Sequence, residues 1–165
     1  MKVLVLSDSH SSLSFMRLCA EKLQPDTILH LGDYYDDGEV IREEFPGPLF
    51  LQVPGNCDMY RTPPFASNII IRRLAGVQVY MTHGHLHYVK QGLGNLIAAG
   101  RQAHADLVLF GHTHIPHCEQ LEDGMWVVNP GTCGYGGRTA AVIELEDGQV
   151  KSCRIVTESD LFSME

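Results

Sequence analysis

The chain has 165 residues, the size of a single domain, and 44% of them are apolar, an ordinary share for a globule with a core. Twelve basic against twenty acidic residues leave a net charge of −8, which argues against broad electrostatic capture of nucleic acid or an anionic membrane. Five scattered cysteines, Cys19, Cys57, Cys118, Cys133 and Cys153, make no C-x-x-C pair; with no secretory signal and no run of transmembrane length, free thiols in the cytoplasm are expected.

Lys2–Ser7 is a nearly continuous apolar run and predicts a buried strand. Ser11-Ser12 offer an N-cap to a helix in which Leu13, Met16, Ala20 and Leu23 keep helical spacing, and Pro25-Asp26 ends it. Thr27–Leu31 is a second strand, Tyr34–Gly38 a loop, Glu39–Phe45 a short helix closed by Pro46-Gly47-Pro48, and Leu49–Val53 a third strand. This β-α-β-α-β order is that of a sheet with parallel pairs. Arg61–Phe65 carries Pro63-Pro64 and reads as an extended loop. Asn68–Leu74 and Val77–Thr82 are strands joined through Ala75-Gly76, a hairpin signal. Tyr88–His104 has a weak helical pattern broken by Gly92, Gly94 and Gly100, and Leu107–Phe110 is another buried strand. From Pro116 onward the chain reads as all-β, with strands His117–Leu121, Trp126–Asn129, Ala140–Leu145 and Val150–Val156 and turns at Glu122-Asp123-Gly124 and Glu146-Asp147-Gly148. The tail Thr157–Glu165 is polar and is expected to fray. One mixed α/β domain over residues 1–165 follows, with more strands than one sheet needs and hence two packed sheets with helices outside.

Five of these strands end in residues of metal-ligand type: Asp8-Ser9-His10, Gly32-Asp33, Gly55-Asn56-Cys57-Asp58, His83-Gly84-His85 and Gly111-His112-Thr113-His114. Ligands of α/β sheets gather at the carboxyl ends of strands. In the last block two imidazoles stand one residue apart on a tight turn, where Gly111 is expected to supply an unusual φ and room for close approach. Oxygen and imidazole donors without thiolates suit Mn²⁺, Fe²⁺, Ni²⁺, Co²⁺ or Zn²⁺. Asp8, His10, Asp33, Asn56, His83, His85, His112 and His114 exceed what one tetrahedral ion takes and fit two ions that share a carboxylate. Two ions roughly 3.5–4 Å apart form a clamp for phosphate-ester hydrolysis, in which a metal-bridging hydroxide attacks in line. Singly, these residues have plainer readings: Asp8 and Asp33 can cap turns or helices, His30 inside a strand reads as a packed or supporting histidine, and His87, His104 and His117 read as surface or loop residues. Five strand ends acting together point to a site.

These blocks, in this order and over Met1 to about Val156, resemble the calcineurin-like metallophosphoesterase superfamily, in particular its small single-domain bacterial and archaeal phosphodiesterase branch. The resemblance implies a four-layer αββα sandwich of two mixed β-sheets flanked by helices, with a dinuclear site at one edge. It implies one ion on Asp8, His10, Asp33 and His114 and another on Asp33, Asn56, His83 and His112, with Asp33 bridging. Asn56 would bind through its amide oxygen and keep its NH₂ for a phosphate oxygen, and His85 would lie close to the substrate; these two are the catalytic candidates. Asn129-Pro130-Gly131-Thr132 resembles a further family block and reads as a turn supporting the site.

The implied activity is a divalent-metal-dependent phosphodiesterase with two divalent ions, Mn²⁺ foremost and Ni²⁺, Fe²⁺, Co²⁺ or Zn²⁺ also fitting. The implied partner is a small phosphoester substrate, with neither nucleic acid nor membrane expected and a homo-oligomer left open. Residue 57 departs from the pattern: many members have a histidine there that protonates the leaving oxygen, and here it is Cys57, a poorer acid with a free pKa of about 8.5. Cys57 then reads as a small buried residue, and Asp58 as a supporting one. A phosphomonoesterase is an alternative. So is a protein-interaction scaffold, since a retromer subunit of the same superfamily uses the fold for contacts with a degraded metal site; seven complete ligand positions favour catalysis. An amidohydrolase barrel would need about 250 residues, and no Asp-His follows His83-x-His85-x-His87 as a metallo-β-lactamase block requires. Loops at Tyr34–Gly38, Asp58–Ser67 and Tyr88–Asn95 are expected to shape the pocket.

Overall fold

A computed structural model describes residues 1–164. Its first sheet has the order β10-β9-β1-β2-β3, built from β1 (Lys2–Leu6), β2 (Thr27–His30), β3 (Leu49–Gln52), β9 (Thr139–Glu146) and β10 (Gln149–Thr157). The second has the order β4-β5-β6-β8-β7, built from β4 (Ile69–Leu74), β5 (Val77–Thr82), β6 (Leu107–Leu109), β7 (His117–Gln120) and β8 (Trp126–Asn129). Both sheets are mixed. β1, β2 and β3 run parallel, as do β5, β6 and β8, and the hairpin partners β4, β7, β9 and β10 run antiparallel to their neighbours.

The period-2 geometry of a strand explains why the strand cores read as unbroken apolar runs. In β1, Val3 and Val5 face the other sheet and pack with Leu29, Met81, Leu107 and Val128, while Leu4 and Leu6 face outward onto helices. The outer face of the first sheet is covered by α1 (Leu13–Leu23) and α2 (Tyr35–Glu44), with Phe15, Met16 and Leu23 fully buried. Each such side chain contributes roughly 1.5–3 kcal/mol by leaving water. The outer face of the second sheet is covered by α3 (Gly94–Gln102), through Leu96 against Val108 and Phe110. The result is the expected four-layer αββα sandwich. Among the described residues no helix is long and apolar enough to cross a membrane.

Three expectations need correction. The helix expected from Glu39 starts at Tyr35, so much of the expected loop Tyr34–Gly38 is helical. Gly38 does not break it, because it is where α2 meets β3: a Cβ there would lie 2.1 Å from Gln52 Oε1. Asp58 Oδ1 accepts the Tyr35 N–H at 2.8 Å and satisfies a donor of the first turn. Ser12 sits at the N-cap of α1 but makes no side-chain cap, and the Ser11 N–H before it is held by Asp37 Oδ2 at 2.7 Å. Finally, the polar tail forms α4 (Glu158–Phe162) instead of fraying. Thr157 and Asp160 make a reciprocal capping box, 3.2 Å and 2.8 Å, and Leu161 is buried against the α1 side of the core. Glu165 lies outside the described residues.

Candidate metal centre

The carboxyl ends of β1, β2, β3, β5 and β6 converge at one edge of the sandwich, and their loops are stitched together by backbone bonds. The Asp8 and Ser9 N–H groups donate to the Gly32 and Asp33 carbonyls, both at 2.9 Å, and the Gly111 N–H donates to the His83 carbonyl at 2.8 Å. Asp8, His10, Asp33, His112 and His114 all have left-handed backbones, with φ of +55°, +43°, +48°, +70° and +64°. A non-glycine residue rarely adopts this region, and the clustering marks a place where local strain is held by the surrounding structure. The unusual φ expected of Gly111 is thus found on the two histidines after it. Gly111 is needed instead for close approach, because a Cβ there would lie 2.1 Å from Ser7 Oγ and 2.8 Å from Asp8 Oδ2.

Six of the seven expected ligands fall into two sets whose donor atoms lie within 4.8 Å of one another: Asp8 with His10 and His114, and Asp33 with His83 and His112. In the first, His114 Nε2 is 3.1 Å from Asp8 Oδ1, and the His10 and His114 rings are 5.4 Å apart. Ser7 Oγ donates to Asp8 Oδ2 at 2.5 Å and the His112 N–H at 3.1 Å, which leaves Oδ1 for the cluster. In the second, the His83 Nδ1–H donates to the Leu31 carbonyl at 2.7 Å and so turns Nε2 toward the site. Around that Nε2 stand Asn56 Oδ1 at 3.1 Å, His112 Nδ1 at 3.2 Å, Asp33 Oδ2 at 3.5 Å and Asp8 Oδ1 at 3.9 Å. The two sets therefore adjoin, and His83 spans them.

This donor set fits divalent metal. Lone pairs of two carboxylates, an amide oxygen and imidazoles converge on one small volume, an arrangement stable only around positive charge. Without metal, the neighbouring carboxylates bias His83 toward its charged form. Burial opposes it, but the Asp33 hydrogen bond and the Asp8 and Asp33 charges outweigh burial and raise the His83 pKa. Burial likewise opposes the charge of Asp33, yet His83 and the Cys57 N–H hold its pKa well below the carboxylate range. His112 is pushed down to about 4, first by burial and then by His83 and Lys90, so its ring is neutral with a lone pair to give. His85 is lowered mainly by burial; its ring lies 5.4 Å from His83 and 6.1 Å from His112, and its buried Nδ1 has no partner among the described residues.

Several supports were hard to read in sequence. Asp58 is buried and accepts three backbone N–H groups, from Asp33 at 2.9 Å, Gly55 at 2.8 Å and Tyr35 at 2.8 Å. Asn129 Nδ2 donates to the Gly111 carbonyl at 3.2 Å and to Thr113 Oγ1 at 3.0 Å, and Thr132 Oγ1 donates to the Asp8 carbonyl at 2.7 Å. The turn from Asn129 to Thr132 thus grips both the histidine turn and the Asp8 loop. His30 is fully buried; Gly32 N–H faces its Nδ1 at 3.4 Å, and Nε2 lies 3.2 Å from Ser9 Oγ, which in turn donates to the Asp33 carbonyl at 3.3 Å. The one sequence signal for this shell is that Ser7, Ser9 and His30 are polar where strands are buried. His87, expected to be an ordinary surface or loop residue, is half-buried with Nε2 2.8 Å from Tyr80 Oη. His104 is exposed, and His117 is half-buried on β7 with Nε2 3.7 Å from Glu119.

Cys57 is not the small buried residue expected. It is exposed, because Asp58 takes the buried position of this turn. Its N–H donates to Asp33 Oδ1 at 2.9 Å, and what burial its thiol has, together with the Asp33 carboxylate, pushes its pKa up to about 11.

Comparison with known proteins gives the family directly. The model of the calcineurin-like phosphoesterase superfamily domain matches residues 1–148. The chain is 31% identical over 134 residues to the probable metallophosphoesterase YsnB of Bacillus subtilis, covering 80% of this chain and 75% of that one. It is 26% identical over 163 residues to phosphodiesterase MJ0936 of Methanocaldococcus jannaschii, covering 88% and 94%. Among solved structures, wild-type Vps29 of Entamoeba histolytica complexed with Zn²⁺ shares the fold at a TM-score of 0.70 and 19% identity, covering 94% of this chain and 98% of that one.

Proposed function

The chain belongs to the calcineurin-like phosphoesterase superfamily, and on that premise we propose that it is a phosphodiesterase dependent on two divalent ions. The observation that carries the reading is the convergence on His83 Nε2 of acceptor atoms from Asn56, His112, Asp33 and Asp8, beside a second set formed by Asp8, His10 and His114. Asp8, His10 and His114 would hold one ion and Asn56, His83 and His112 the other, with Asp33 shared. Bound there, the ions would supply Lewis-acid chemistry: neutralising phosphoryl charge and acidifying water. Mn²⁺ suits this mixed imidazole and oxygen set first, with Ni²⁺, Fe²⁺, Co²⁺ or Zn²⁺ also fitting; Mg²⁺ prefers all-oxygen surroundings.

The chain's own residues have separate tasks. Asp33 and Asp8 would supply carboxylate oxygens to the ions, and Asp33, despite its burial, is biased toward its ionised form by His83 and the Cys57 N–H. Asn56, its amide oxygen facing His83, has one NH₂ hydrogen on Cys57 Sγ at 3.8 Å and the other to offer a phosphoryl oxygen. His85, uncharged near neutral pH and adjoining the ligand rings, offers a hydrogen bond to the substrate. Cys57, protonated well above neutral pH, is a weak acid beside the leaving group. The likeness to the phosphodiesterase MJ0936 supports diesters over monoesters. The shared fold with Vps29 favours a second reading, a protein-contact scaffold; the complete ligand set speaks for the enzyme. A panel of phosphomonoesters and phosphodiesters, assayed with each divalent ion added in turn, tests the proposal: diesters turned over with Mn²⁺ or Ni²⁺ support it, and no turnover with any ion supports the scaffold.

A further inference from the structure

Of the five cysteines, two stand on adjoining edge strands of different sheets. Cys118 lies on β7, the edge strand of the second sheet, and Cys153 on β10, the edge strand of the first, and these edges pack side by side. Cys118 is exposed; Cys153 is half-buried and packs on the rim of the core between the sheets. Cys118 Sγ lies 3.7 Å from the Cys153 carbonyl oxygen, to which its S–H donates, so the Cys118 thiol already reaches the residue it would be joined to. The remaining cysteines lack this combination. Cys19 and Cys133 are fully buried, out of reach of an oxidant, and Cys57 is exposed but sits at the metal centre.

We propose that Cys118 and Cys153 form a redox staple that reversibly joins the two sheets along their common open edge. The oxidant is a low-molecular-weight disulfide of the glutathione class. The Cys118 thiolate attacks one of its sulfurs, forming a mixed disulfide and releasing one thiol. Cys153 then gives up its proton and attacks Cys118 Sγ, forming the Cys118–Cys153 bond and releasing the second thiol. Two protein thiols are oxidised and one small disulfide is reduced. The exposed residue is the one a bulky oxidant reaches, and the half-buried residue resolves it.

The staple bears on the metal centre through one strand. His117, next to Cys118, pairs in register with Asn129, whose side chain holds the histidine turn. Cross-linking residues this far apart in sequence removes much conformational freedom from the unfolded chain and should raise the melting temperature by on the order of 10 °C.

The test uses the reduced full-length protein treated with excess oxidised glutathione, followed by alkylation, peptide mass spectrometry and thermal melting. Cys118→Ser and Cys57→Ser serve as controls. The proposal expects a linked peptide pair containing Cys118 and Cys153, a melting temperature about 10 °C above the reduced form, reversal by a dithiol reductant, and loss of the whole effect in Cys118→Ser but not in Cys57→Ser. It is overturned if Cys118 stops as a glutathione adduct with no link to Cys153, or if oxidised wild type melts no higher than oxidised Cys118→Ser.

Discussion

Asp58 Oδ2 accepts the backbone N–H of Asp33 at 2.9 Å, so a buried carboxylate outside the ligand set fixes the residue at the centre of the site. The same side chain holds Gly55 and Tyr35, so one residue ties the β2 loop, the β3 loop and the start of α2 together. Asp58→Ala leaves three buried donors without a partner, each costing about 1–3 kcal/mol. We expect a clear drop in stability to urea and a 10–100-fold loss of metal affinity, the scale for groups that orient ligands. Asp58→Asn, which keeps one acceptor oxygen, should recover part of both. Unchanged metal affinity in a folded Asp58→Ala protein would remove this role.

Asp33→Asn should abolish nearly all turnover, by at least about a thousandfold, the scale of removing a principal electrostatic element. The amide keeps an oxygen to accept the Cys57 N–H, so the fold should persist. Elemental analysis should then find fewer than two ions per chain. Full occupancy with near-normal rates would show that Asp33 is not shared.

The buried histidine His30 makes stability depend on pH. Burial, and then the neighbouring His83, lower its pKa to about 3, against about 6.5 in an unfolded chain. As pH falls through 6.5 the unfolded state takes up a proton that the folded state refuses until about pH 3. The contribution is therefore fully present above pH 6.5 and is lost on acidification, by about 1.4 kcal/mol per pH unit. His83, with a raised pKa, acts in the opposite sense above pH 6.5 and is flat below it. His30→Gln keeps an acceptor and a donor but cannot titrate. Denaturant melts of the chelated proteins between pH 6 and 4 should show wild type losing stability faster than the variant. Parallel curves would mean that His30 does not govern this limb.

On the phosphodiesterase reading, Cys57, whose pKa is pushed up to about 11, would give the leaving group little help. Rates should fall steeply as leaving-group pKa rises, with nitrophenyl diesters cleaved well and alkyl diesters poorly. Cys57→Ala should change the nitrophenyl rate only modestly, whereas Cys57→His should help the poorest leaving groups most. A folded, metal-replete Cys57→Ala protein without activity on activated diesters would give the thiol a chemical role.

Much of the fold was legible because burial on both faces of β1, β2 and β6 writes continuous apolar runs, and because turn residues such as Ala75-Gly76 and Asp147-Gly148 separate them. The metal-type residues were legible for a similar reason: strand ends put Asp8, Asp33, Asn56, His83 and His112 where the sheets converge. What sequence hid was tertiary. Gly38 reads as a helix breaker until Gln52 is seen against it, and Gly111 reads as the source of an unusual φ until the two histidines after it are seen to carry that φ and Gly111 only the close approach to Ser7. The T-x-x-D box at Thr157 was present in the chain, but its value depends on Leu161 finding the core. Cys57 looked apolar enough to bury, and only the competition with Asp58 for the inside of one turn decides against it. Cys118 and Cys153 are distant in sequence, and only the packing of two edge strands makes them neighbours.

The most direct test is a titration of the chelated protein with Mn²⁺, following bound metal and hydrolysis of bis(p-nitrophenyl) phosphate in the same samples. Two adjoining ligand sets predict two tight equivalents per chain and turnover that rises with the second. No turnover at full occupancy would contradict the enzyme, and saturation of both signals at one equivalent would contradict the paired centre.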